Sequence, residues 1–259
     1  MISQDGLGIN MYEMNGKVAL VTGGNSGMGK ATALAFASNG AKVVIAARRA
    51  ENGYAVAKSI SEQGGDAIFI QTDVQHESSV QDLMKKIDSK FGRIDYAFNN
   101  AGVWDVETTI HEMPLEQWRL VIDVNLTGVF LCMKHELRMM IEQKNGSIVN
   151  NSSTSGLRGD ASSSASYSAS KHGVIGLTKT ASMQNAQYGI RINAICPGWV
   201  DTPMVEHVED LYSVGKIPGT LGRIGSSEEI AETVLWLCSE KASFITGQSL
   251  VVDGGGLAG

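Results

Sequence analysis

Val18-Ala19-Leu20-Val21-Thr22-Gly23-Gly24-Asn25-Ser26-Gly27-Met28-Gly29 sets an apolar, β-branched run directly against a glycine-rich turn, and a helical period follows it. Strand, turn and helix in that order are the context that gives a glycine pattern meaning. Small residues permit a tight turn and the close approach of a pyrophosphate. A helix N-terminus behind them supplies unpaired amides and a partial positive charge. The stretch predicts the first βα unit of a dinucleotide-binding fold.

Working outward, the same alternation recurs along the chain. Strands are expected at Val18–Val21, Lys42–Ala46, Ala67–Gln71, Tyr96–Phe98, Ser147–Asn150, Arg191–Ile195 and Ser249–Val252, with helices at about 28–39, 50–63, 77–91, 115–143, 164–188 and 227–238. Several strands are continuously apolar, as strands covered on both faces should be. Repeated βαβ units give a doubly wound, Rossmann-type parallel sheet of about seven strands in a three-layer α/β sandwich. One domain is expected over residues 1–259, with an N-terminal extension at 1–15. The serine-rich stretch Ser152–Ser170 reads as a solvated loop and a capped helix start. Residues 197–225 hold three of the four prolines and carry no clear element, so they are expected to form a loop over the ligand crevice.

Composition narrows the function. A net charge of −6 with no dense basic run argues against nucleic acid. No signal peptide and no bilayer-length apolar stretch is read, which points to a cytoplasmic protein without a membrane partner. Cys132, Cys196 and Cys238 are far apart in apolar contexts and read as buried, reduced thiols. The five histidines are scattered and no HxxxH or CxxC spacing occurs, so no metal site is expected.

Four motifs in order, TGxxxGxG at 22–29, NNAG at 99–102, Tyr-x-x-x-Lys at 167–171 and Pro-Gly at 197–198, resemble the short, one-domain branch of the short-chain dehydrogenase/reductase family over roughly residues 15–255. The resemblance implies an NAD(P)-dependent oxidoreductase that interconverts an alcohol and a carbonyl compound. It places Gly23, Asn25, Ser26, Gly27, Met28 and Gly29 at the cofactor phosphates. Asp73 and Val74, just beyond the third strand, fall where an acidic side chain reaches the adenine amine. Asn99, Ala101 and Gly102 would flank the cofactor, and Pro197, Gly198, Val200 and Thr202 would approach the nicotinamide end.

Tyr167 and Lys171 are four apart on an expected helix and share one face. Tyr167 must come down from a pKa of about 10 to move a proton near neutrality. A Lys171 ammonium at roughly 5 Å would contribute about 3 kcal/mol at an effective dielectric near 20, on the order of two pKa units. By resemblance Lys171 also holds the nicotinamide ribose. A hydroxyl is needed to polarise the substrate oxygen as charge develops. Ser152, Ser153, Thr154 and Ser155 all offer one, and aligning Ser-x-x-Gly with the family selects Ser153, with Thr154 as the alternative. The spacing to Tyr167 is one residue longer than in many relatives, and the extra residue is assigned to the loop around Gly159–Ser163. Asn125 matches the family's helix asparagine, whose backbone carbonyl holds a proton-relaying water. His172 points about 100° away from Lys171 and reads as packing or surface.

A second class of reading is a nucleotide sensor or scaffold that kept the fold and lost catalysis; retention of Tyr167, Lys171, Ser153 and Asn125 speaks against it. An isomerase or dehydratase using bound nicotinamide would want a separate substrate domain. Val103, Trp104, Leu157, Trp199, Met204, Leu211, Tyr212 and Ile217 are the expected pocket wall. This mainly apolar set favours a small to medium cyclic or aliphatic secondary alcohol or ketone over a strongly anionic substrate. NADP(H) is favoured over NAD(H), because Ala47 stands where the family's acidic residue falls and Arg48 follows it. Ser26, where many NADP-preferring relatives carry a second basic residue, keeps NAD(H) open. A homotetramer is expected by resemblance, with apolar residues on helix 115–143 and in 244–259 as the sequence hint.

Overall fold

The computed structural model describes residues 12–105, 108–159, 163–204 and 219–258. Alternation of side chains along a strand sends neighbours to opposite faces, and β1 (Val18–Thr22) shows the consequence. Val18 and Leu20 enter one apolar core and Ala19 and Val21 the other. Both faces are covered, which is why the run is continuously apolar.

The remaining strands are β2 (Lys42–Ala47), β3 (Asp66–Gln71), β4 (Tyr96–Asn99), β5 (Gly146–Asn151), β6 (Ile190–Pro197) and β7 (Ser249–Val252). They form one seven-stranded sheet in the order β3-β2-β1-β4-β5-β6-β7, every pairing parallel. On one face pack α1 (Gly27–Ser38), α2 (Ala50–Glu62) and α7 (Ser227–Cys238), through residues such as Phe36, Ile60 and Val234. On the other lie α3 (Glu77–Phe91), α5 (Gly128–Gln143) and α6 (Ala165–Asn185), through Leu83, Met140 and Val174. The expected doubly wound sandwich is borne out. Strand order reverses between β1 and β4, and the carboxyl ends there frame the crevice where ligands bind in such sheets.

The helix expected over 115–143 is interrupted. It runs as α4 (Leu115–Ile122), a π turn at Asp123–Thr127 and α5. A π turn inserts one extra residue into the hydrogen-bond ladder, and here it carries Asn125. The helix expected over 164–188 is α6 followed by a 3₁₀ turn at Ala186–Tyr188. The base of the long loop is closed by a bridge between Val200 and Gly225. Residues 205–218, with the expected wall positions Leu211, Tyr212 and Ile217, lie outside the described residues, as do 1–11 of the N-terminal extension and 160–162 of the loop assigned the extra residue.

Candidate active site

The carboxyl ends of β1, β2, β4, β5 and β6 open into one cavity of about 1120 Å³. At one end sits the glycine turn. Gly23 has φ +64°, and a Cβ there would lie 2.9 Å from Cα of Ala101; at Gly29 it would lie 2.3 Å from the Gly23 carbonyl. Only glycine lets β1 turn this tightly against the 100–102 segment. Ser26 is the N-cap of α1 but its side chain makes no capping bond, so the first-turn amides of α1 are left to whatever fills the cavity, which Ser26, Gly27 and Met28 line. An anionic pyrophosphate fits such a cradle. Asn25 is buried, and Thr202 packs 3.2 Å from where a Gly27 Cβ would be.

Ala47, Arg48 and Arg49 line the cavity where β2 ends, with both arginines exposed, and Thr72, Asp73 and Val74 line it beyond β3. The Asp73 Oδ1 accepts from the backbone and side chain of Gln75, which fixes the carboxylate at the rim. Thr22 was not read from the sequence as a site residue. Its hydroxyl accepts from the backbone amides of Asn100 and Ala101 and so fastens the NNAG turn to β1. Asn99 points away from the cavity, donating to Glu136 and Asn150 beneath the sheet; Ala101 and Gly102 line the cavity, and so do Pro197, Gly198 and Val200 from β6 onward.

At the other end α6 begins at Ser164, whose side chain caps the helix by accepting from the Tyr167 amide. Tyr167 and Lys171 face the cavity from one side of α6, with Lys171 Nζ 5.4 Å from the Tyr167 ring centre. Ser153 lies close enough to the Tyr167 hydroxyl to oppose the rise in its pKa, and it accepts from the Ser155 amide at 3.1 Å. Of the four candidate hydroxyls, the fold therefore brings Ser153 to Tyr167. Thr154 starts the next 3₁₀ turn and lines the cavity beside it. Lys171 Nζ donates to the Asn151 carbonyl at 2.8 Å. Asn125, fully buried, clamps the backbone of Val103 in both directions, its Oδ1 accepting at 2.8 Å and its Nδ2 donating at 2.9 Å. His172 is exposed and bonded to the Ser168 carbonyl.

The electrostatics correct one expectation. Instead of being brought down by Lys171, Tyr167 is pushed up to about 12, chiefly by burial, with Ser153 opposing the rise and Asp105 adding to it. Burial also pulls Lys171 down to about 8. The reason is that both groups are taken out of water together, and the desolvation of each outweighs what the ammonium offers the phenol.

Trp104 lies over Tyr167 with ring centres 4.8 Å apart, and Trp199 lies 5.9 Å beyond Trp104. Val103 and Met204 also line this end. Leu157 does not: it is exposed, turned out by the 3₁₀ turn. Asp105, absent from the sequence reading, accepts from Ser164, Ser166 and Gln117 and lines the cavity beside Tyr167. Its only signal was its place directly after the aromatic residue that follows NNAG.

A dinucleotide cradle joined to a paired hydroxyl and a buried lysine defines an NAD(P)-dependent oxidoreductase acting on CH–OH groups. The family described as enoyl-(acyl carrier protein) reductase matches residues 23–256. A 3-oxoacyl-[acyl-carrier-protein] reductase of Synechocystis sp. is 44% identical over 247 residues, covering 95% of this chain and 98% of that protein. A cis-4-hydroxycyclohexanecarboxylate dehydrogenase of Sinomonas cyclohexanicum is 44% identical over 240 residues, covering 92% and 96%. The crystal structure of a short-chain type dehydrogenase/reductase from Mycobacterium marinum superimposes with a TM-score of 0.90 at 36% identity, covering 95% of this chain and 97% of that one. The chain belongs to the short-chain dehydrogenase/reductase family. Among the described residues no helix is long and apolar enough to cross a membrane.

Proposed function

We propose that the protein reduces and oxidises small to medium, ring-containing secondary ketones and alcohols, that it prefers NADP(H) to NAD(H), and that it works as a homotetramer in the cytoplasm. The observation that carries the substrate reading is Tyr167, with Ser153 beside it, lying under two tryptophans, Trp104 at 4.8 Å from Tyr167 and Trp199 beyond it. Flat aromatic faces favour a compact ring over a flexible chain. The Sinomonas relative is named for such a ring. Its carboxylate is not carried over, because Asp105 lines this end of the cavity and repels an anion.

When bound, the nicotinamide cofactor supplies or accepts the hydride. In the direction of reduction Ser153 donates a hydrogen bond to the substrate oxygen as charge develops on it, and Tyr167 gives its proton to the same oxygen. Lys171 orients the ribose and stabilises the phenolate left on Tyr167. Asn125 holds Val103 in place, and its π turn offers a backbone carbonyl for the water that returns protons through Lys171. Among the described residues no carboxylate stands at the end of β2 to repel a 2′-phosphate, while Arg48 and Arg49 line the cavity there.

The test is a panel of cyclic, linear, 3-oxoacyl and carboxylate-bearing ketones assayed with NADPH and NADH. Uncharged ring ketones with NADPH should give the highest kcat/KM, and Arg48→Ala should lower the NADPH value at least fivefold. Turnover confined to 3-oxoacyl thioesters would overturn the substrate reading. A preference for NADH that Arg48→Ala leaves untouched would overturn the cofactor reading.

A further inference from the structure

Glu136 is a charged residue type with no solvent exposure, on the inward face of α5, outside the cavity and unused by the chemistry above. Its Oε2 accepts from Asn99 Nδ2 at 3.0 Å; the other proton of that amide goes to Asn150 Oδ1 at 3.1 Å. Asn150 in turn donates to Thr178 Oγ1 at 2.9 Å and to Met133 Sδ at 3.2 Å, and Thr178 donates to the Val174 carbonyl. Every donor in this chain is used. Two buried acceptors, Glu136 Oε1 and Asn99 Oδ1, have no hydrogen-bond partner.

Charge and geometry agree on the state of the acid. The elements packed around it present amides, a hydroxyl and a thioether from β4, β5, α6 and α5. The titratable neighbours are on its own helix: the Cys132 thiol one turn back, and His135, which is turned away onto Glu77 of α3. Among the described residues no cation faces Glu136. A carboxylate there would be a buried charge with a single N–H bond, whereas the neutral acid turns its one orphaned oxygen, Oε1, into a donor. Burial accordingly pushes the carboxyl up to about 7, against the pull of the Asn99 bond.

The position gives this group leverage. Asn99 and Asn150 are the last inward-bonded residues of β4 and β5. Directly after them come Asn100, fastened to Thr22 and Gly23, and Asn151, whose carbonyl holds Lys171 and whose side chain donates to Asn100. We propose that Glu136 is a positioning residue for the reaction: as the neutral acid it holds the ends of β4 and β5 at one height, and with them the cofactor turn and the Lys171 anchor, and on ionisation it loosens both.

The inference rests on reading the cavity as the nicotinamide site, so its test has an arm that does not. Infrared difference spectra of wild type against Glu136→Gln should show a protonated-carboxyl band at pH 6 that disappears by pH 9. Absence of that band at pH 6 overturns the proposal, whatever the enzyme does. The second arm measures cofactor Kd by nicotinamide fluorescence, together with KM and kcat, from pH 5.5 to 9. Lys171 and any cofactor phosphate titrate alike in both proteins, so the difference between them belongs to Glu136. Wild type should lose affinity about fivefold in a one-proton step near neutrality. Glu136→Gln, whose amide is a donor at every pH, should match wild type at pH 6 and lack the step, while Glu136→Leu should raise cofactor KM at least tenfold with a smaller change in kcat. Superimposable pH profiles for wild type and Glu136→Gln overturn the proposal even if Glu136→Leu does not fold.

Discussion

Tyr167 and Lys171 lie side by side with their charged forms both disfavoured, Tyr167 pushed up to about 12 and Lys171 pulled down to about 8 by burial. Catalysis then depends on hydrogen bonds and transition-state charge more than on a phenol that is already ionised at rest. Tyr167→Phe keeps the packing against Trp104 but has no proton to give, so turnover should fall by at least a hundredfold while cofactor Kd changes less than threefold. Ser153→Ala should cost at least tenfold in kcat and Thr154→Val less than threefold; the opposite order would mean that the wrong hydroxyl has been assigned to the substrate oxygen. Lys171 also has a stability consequence. Its folded pKa lies below the unfolded value of 10.5, so the unfolded chain binds more protons between about 8 and 10.5, and stability rises with pH across that window. Below pH 8 the full cost of burying the ammonium is present, on the order of 3 kcal/mol. Lys171→Met should therefore raise Tm at pH 7 while abolishing turnover, and the gain should shrink towards pH 10. A lower Tm for that variant at pH 7 would show that the bond to Asn151 outweighs the desolvation.

Between single residues and the whole chain, the π turn at Asp123–Thr127 is the element that the site depends on most. It aims Asn125 inward, so that both polar atoms of the side chain grip Val103. Asn125→Ala leaves the half-buried N–H and C=O of Val103 unpaired, at up to about 1–3 kcal/mol. The segment that carries Trp104 should then loosen. Chemical denaturation should show that loss, and kcat should drop at least tenfold; unchanged stability and turnover would mean that the clamp is incidental. The turn also marks where the sequence stops being informative. Strands buried on both faces announce themselves as continuous apolar runs, and glycine turns by the spacing that crowding imposes, so the sheet, the cradle and the Tyr167–Lys171 face were legible. One extra residue in a long helix leaves the amphipathic pattern almost unchanged, and the break in 115–143 was not. Glu136 and Asp105 were invisible for a related reason. Their partners, Asn99 and Ser164, are distant in sequence, and a lone acid in a helix or loop normally reads as solvated surface.

At the scale of the molecule, two groups of exposed apolar side chains bear on assembly, among others scattered over the described surface. On α4 and α5 these are Leu115, Trp118, Leu120 and Phe130. Beside β7, the last strand of the sheet, Phe244 is wholly exposed, Val251 is more than a third exposed, and Ser249 Oγ is buried without a partner among the described residues. An edge strand with unpaired backbone next to an exposed phenylalanine invites either a partner or aggregation. Two distinct patches on one chain, each packing against its own copy, generate two isologous interfaces, and two such interfaces close into a tetramer with perpendicular two-fold axes. Each large apolar side chain that becomes buried contributes about 1.5–3 kcal/mol, so a charge placed in either patch should open that interface alone. Light scattering at micromolar concentration should give about four times the 27.6 kDa of the chain. Phe244→Glu should give dimers held by the α4–α5 faces, Phe130→Glu dimers held through β7, and the double variant monomers. A wild-type monomer at that concentration would sink the assignment. A tetramer unmoved by both substitutions would leave the assembly but place its interfaces elsewhere on the surface.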